Sequence, residues 1–129
     1  MMRAAMLAGF AYFAVVFAAG FALGIFRTLF LAPRIGEFAA VCVELPVILL
    51  VSWIACGWAV RRFRVAADIR RRAIMGAAAF LCLIAAEIAL GIAAFDRTIV
   101  DVAAAWATPA GAAGLAGQVL FGILPALRR

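Results

Sequence analysis

Histidine, lysine and asparagine are missing from this 129-residue chain, and serine occurs once, at Ser52. Without histidine the chain lacks the commonest metal ligand, the usual haem ligand and the usual general base near neutral pH. Ser52 therefore has no imidazole to activate it as a nucleophile. Acidic residues are few, six in all, and are dispersed rather than clustered as metal-dependent phosphoryl chemistry demands. The three cysteines, Cys42, Cys56 and Cys82, form no CxxC pair and lie in apolar stretches, where a thiol serves as a small hydrophobe. These absences predict no catalytic residues, no metal and no cofactor. The expected protein is not an enzyme.

What is present is apolar. Hydrophobic residues make up 71% of the chain, against roughly 45–50% in ordinary soluble domains. The length allows a single domain, and a fold this small cannot bury so much apolar surface within itself. The composition predicts an all-α integral membrane protein, a four-helix bundle. Its spans are expected at about residues 4–31, 36–60, 73–95 and 109–127, each long enough to cross ~30 Å of hydrocarbon. Thr108-Pro109 marks the start of the last, as a cap followed by a proline suited to the first helical position. The intervening segment 96–107 carries Asp96, Arg97 and Asp101 and is too polar to span. It is expected to rest at the interface, with Trp106 at headgroup depth.

Orientation follows from arginine. Arg61, Arg62, Arg64, Arg70, Arg71 and Arg72 crowd the central loop 61–72, Arg3 precedes the first span, and Arg128 and Arg129 follow the last. Four spans put both ends and that loop on one side, so nine of the twelve arginines share it. The positive-inside rule makes it cytoplasmic, an N-in, C-in topology in a bacterial-type inner membrane. The arginines are read as topology and lipid anchors for anionic headgroups, with no nucleic-acid role. The first apolar run continues through Phe30, longer than a signal-peptide core, and is kept as a span. Aligning Arg3 with Arg70 also places Gly9 on Gly76, Phe13 on Phe80 and Ala22-Leu23-Gly24-Ile25 on Ala89-Leu90-Gly91-Ile92. That pattern suggests a tandem duplication of a two-helix hairpin, related by an axis along the membrane normal.

A charged cluster occupies the outer half. Glu44 and Glu87 lie at matched depth, ~12 Å from the outer ends of their spans at helical rise, with Arg27 a turn above and Arg34 and Glu37 nearer the surface. Ionisable groups at that depth cost at least ~2.5–3.5 kcal/mol each, so they turn inward and find partners. Gln118 is a candidate neutral partner. Pro46, two residues after Glu44, offers no backbone donor to the Cys42 carbonyl and is expected to kink its helix. Gly20 and Gly24, with Gly114 and Gly117, are expected to form a close contact between the first and last spans. The expected function is a compact proton- or cation-linked transporter or channel built on this cluster. The alternative is a non-catalytic accessory or scaffold subunit of a larger membrane complex; the expected assembly is a homodimer or such a complex.

Overall fold

The computed structural model describes residues 2–95 and 98–127, the side chains of Met2, Ala94 and Phe95 excepted. Asp96 and Arg97 of the expected interfacial segment, and the terminal Arg128 and Arg129, lie outside the described residues. Regular structure consists of α1 (Met2–Phe26), a π-helical turn (Arg27–Leu31), α2 (Ala32–Ile35), α3 (Glu37–Phe63), α4 (Ile69–Phe95), α5 (Ile99–Ala105) and α6 (Pro109–Leu127). Four segments are long and apolar enough to cross a membrane: Arg3–Ile35, Glu37–Phe63, Ile69–Ala93 and Pro109–Leu127. No more than 22% of the apolar window in any of them is buried within the fold. Leu81, Leu50 and Ile54 are each at least 60% exposed. Such surface costs ~25 cal/mol per Å² in water, so the outside of the bundle needs an apolar surrounding. The architecture is consistent with a multi-pass membrane protein.

Each helix end has a local cause. Pro33 lacks the N–H that continues an α-helix, and its ring crowds the carbonyl four residues back. The chain widens there, and Ala32 N–H donates to Arg27 O, five residues away. Helix α2 then ends at Gly36, whose φ of +87° suits glycine. The first apolar helix thus runs one turn beyond the expected end at Leu31, and the hairpin turn shrinks to a single residue. At the other end, Arg64 adopts the left-handed conformation and Val65 N–H donates back to Val60 O at 3.1 Å, a Schellman closure with Val65 buried. Asp68 opens α4 by accepting from Arg70 N at 3.3 Å. Thr98 and Asp101 form a reciprocal capping box for α5. Thr108 caps α6 by accepting from Gly111 N at 3.0 Å.

The central arginine loop is consequently shorter than 61–72. Arg61 and Arg62 end α3, and Arg70, Arg71 and Arg72 begin α4. Arg72 corrects its reading as a lipid anchor. It is 5% exposed, and its guanidinium donates to Ala66 O at 3.2 Å, Val65 O at 3.4 Å and Pro125 O at 3.4 Å. These carbonyls follow α3 or close α6, where helix ends present unsatisfied, partly negative oxygens. Arg72 ties the loop to α6 rather than reaching for headgroups.

The long helices form a ring in the order α1, α3, α6, α4, with α1 and α6 on one diagonal. This order revises the proposed symmetry. A two-fold axis along the bundle exchanges diagonal helices, whereas a hairpin duplication requires α1 to exchange with α4, its neighbour. The two hairpins are laid side by side instead. The glycine contacts are also revised. A Cβ on Gly24 would lie 3.8 Å from its own helix's Arg27, one on Gly20 3.7 Å from Ile48 Cδ1, and one on Gly114 in open space. Gly117 faces the Leu45 side chain. The close backbone approaches occur elsewhere: Gly76 abuts the Gly122 carbonyl, and a Cβ on Gly9 would lie 2.7 Å from Met75 O. Both lie toward the arginine-rich end, where the helices converge.

Candidate functional site

The two halves of the bundle are packed differently. The buried cluster of Ala5, Ala8, Tyr12, Ala55, Cys56, Ala59, Met75 and Ala79 fills the arginine-rich half. Small side chains there let the helices close up. Toward the other end the helices enclose a cavity of about 520 Å³, within the ~300–1,000 Å³ typical of small-molecule sites. All four long helices contribute walls, from Val16 to Ile25 on α1, Val41 to Ser52 on α3, Leu83 to Leu90 on α4 and Gly114 to Phe121 on α6.

The floor is a contact across the α1–α6 diagonal. The Tyr12 and Phe121 rings stack with centroids 4.3 Å apart, and the Tyr12 hydroxyl donates to Phe121 O at 2.7 Å. That carbonyl needs an outside donor because Pro125, four residues on and inside α6, has no N–H to offer it. Tyr12 is wholly buried and occupies the donor's place. Beside it, Ser52 is also buried and returns its hydroxyl to Ile48 O at 2.7 Å.

Polar groups enter the cavity as two separate pairs. Arg27, at the start of the π-helical turn, donates through Nη1 to Glu44 Oε2 at 2.6 Å, with side chains 28% and 12% exposed. On the opposite wall Gln118 Nε2 donates to Glu87 Oε1, while the Gln118 carbonyl oxygen is buried without a hydrogen-bond partner among the described residues. Of the five residues read as one cluster, the structure brings Arg27, Glu44 and Glu87 to a common cavity. Glu44 and Glu87 meet different partners rather than each other. Arg34 and Glu37 stand exposed beside Gly36 and are not in the lining. Helix α3 runs unbroken through the exposed Pro46. Gly20, Gly24, Gly114 and Gly117 all line the cavity, so their missing side chains contribute space more than contact. Cys42 is exposed, Cys56 buried and Cys82 between the two; no three of His, Cys, Asp and Glu come together among the described residues.

Tyr12 and the buried role of Arg72 escaped the sequence reading. A signal for Tyr12 existed: it is the only tyrosine in the chain, on an apolar helix, while Pro125 frees a carbonyl elsewhere. No protein-family model matches the chain, and no curated protein or solved structure matches it either.

Proposed function

We propose that the protein is a multi-pass membrane protein of bacterial inner-membrane type, N-in and C-in, that acts as a compact proton- or cation-linked transporter or channel through the four-helix cavity. The arginines of the α3–α4 connection support this orientation, because positive charge is retained on the cytoplasmic side. The cavity then lies in the outer half, and the Tyr12–Phe121 floor separates it from the cytoplasm. One observation carries the functional reading: Glu87 faces the cavity with a neutral amide as its partner and no cationic side chain among the described residues. Arg27 is engaged by Glu44. A carboxylate held at membrane depth without a counter-ion is costly, and it is the group in this cavity suited to take up a proton or cation and release it.

Flux in proteoliposomes tests this reading. The parent is expected to move protons or monovalent cations in a Glu87-dependent way. Glu87→Gln is expected to abolish that flux with the thermal midpoint of unfolding changed by no more than a few degrees. Absence of flux in the parent overturns the transport reading. A second reading, an accessory subunit, draws on the shallow apolar groove between α4 and α6 that Ala73, Gly76, Ala77 and Gly122 line. Small residues of this kind admit a neighbouring helix. Stable co-purification with a larger membrane complex, together with no flux alone, supports that reading.

A further inference from the structure

Resting on the cavity reading above, we propose that its ligand is a protonated organic amine with an apolar body, whose ammonium group sits against Glu87 and Gln118. Three observations converge on this class. The charged groups lining the cavity are Arg27, Glu44 and Glu87. The first two neutralise one another at 2.6 Å, which leaves one negative charge when Glu87 is ionised. An anion therefore gains no partner, because the guanidinium is already engaged, and it meets the repulsion of Glu87. A cation gains one counter-charge in a setting where water screens little.

The second observation is a further acceptor beside the carboxylate. Gln118 donates one N–H to Glu87, and its carbonyl oxygen is buried without a partner among the described residues. An unpaired buried acceptor is destabilising until a donor or cation reaches it. A ligand bearing N–H donors can bond both the carboxylate and this oxygen after a small rotation of the amide. A ligand with neither a positive charge nor a hydrogen-bond donor satisfies neither group.

The third observation is the rest of the wall. Phe17, Phe21, Ile48, Leu83 and Leu90 supply rings and branched chains, which reward an apolar body and offer a hydrated metal ion nothing in place of its water. Cavities of this size that are apolar with a few convergent polar groups take organic molecules.

Three probes with one aromatic body discriminate the outcomes: 1-naphthylmethylamine, 1-naphthylmethanol and 1-naphthoate. Each is titrated into the detergent-solubilised full chain by calorimetry at pH 7. The amine is expected to bind at least tenfold more tightly than the alcohol, with the carboxylate weakest. In Glu87→Gln, purified with an unfolding midpoint near that of the parent, the amine is expected to lose its advantage while the alcohol binds as before. If Glu87→Gln does not fold, the comparison of the three probes on the parent decides the matter. Equal or tighter binding of the alcohol or the carboxylate overturns the amine assignment and leaves the cavity as a binding site. Persistence of the amine preference in folded Glu87→Gln overturns the role of Glu87. Binding of none of the three overturns both this inference and the reading of the cavity as a ligand site.

Discussion

Tyr12 and Pro125 show how a single missing N–H can dictate a tertiary contact. A proline inside a helix leaves the carbonyl four residues earlier without its donor, and in α6 that oxygen, on Phe121, is answered by the Tyr12 hydroxyl from another helix. Tyr12→Phe keeps the stacked ring and removes only this donor. The expected loss is ~1–3 kcal/mol, the cost of a buried acceptor left unpaired. Pro125→Ala restores a backbone donor to Phe121, so Tyr12→Phe is expected to cost clearly less in that background. A double-mutant cycle of unfolding free energies measures the difference, and additive effects would mean that the hydroxyl is not serving the proline's vacancy. Neither partner was readable as a pair from the sequence. The proline advertised a free carbonyl, but 109 residues separate donor from acceptor and nothing local joins them.

The helices themselves were legible because composition marks them: long apolar runs broken only by isolated charges such as Arg27, Glu44 and Glu87, with Thr108-Pro109 at one start and arginine crowded at the ends. Their lateral order was not. All four spans are apolar around much of their circumference, so periodicity marks no single inward face. The glycine spacing of Gly20 and Gly24 therefore suggested a neighbour that α6 is not. Close approach is decided by where the ring tightens, and that is at Gly76 against Gly122. Gly76→Ala is expected to lower the unfolding midpoint strongly, because its methyl group meets a backbone carbonyl that can yield only if α4 and α6 separate; overpacking of this kind costs ~1–3 kcal/mol. Gly114→Ala, in open space, is expected to be neutral or to stabilise by up to about 1 kcal/mol from helix propensity. Thermal unfolding of the two variants in one detergent decides the matter, and equal behaviour would place the tight contact elsewhere. The Arg27–Glu44 pair was partly legible, since depth along the spans already set the two side chains near one level. The division of the carboxylates between separate partners needed the ring order.

At the scale of the whole molecule, the closed half and the open half make opposite predictions for reagents in water. In a variant with the native cysteines replaced, a cysteine at Gly24 or Gly114 is expected to react with a membrane-impermeant maleimide added outside intact cells. Both positions line the cavity. A cysteine at Ala8 or Ala79, each wholly buried in the arginine-rich half, is expected to react only after denaturation. Labelling of the first pair solely from the cytoplasmic side would reverse the assigned orientation.

The closed half also has a history. Helix α6 is the last of the long helices to leave the ribosome, yet it carries the acceptor for Tyr12 and one of the acceptors for Arg72, groups made far earlier in translation. A nascent chain holding only α1, α3 and α4 presents a tyrosine hydroxyl without its Phe121 acceptor and a Gly76 face without its cover. Arrival of α6 supplies the Phe121 and Pro125 acceptors and covers Gly76 in a single docking step.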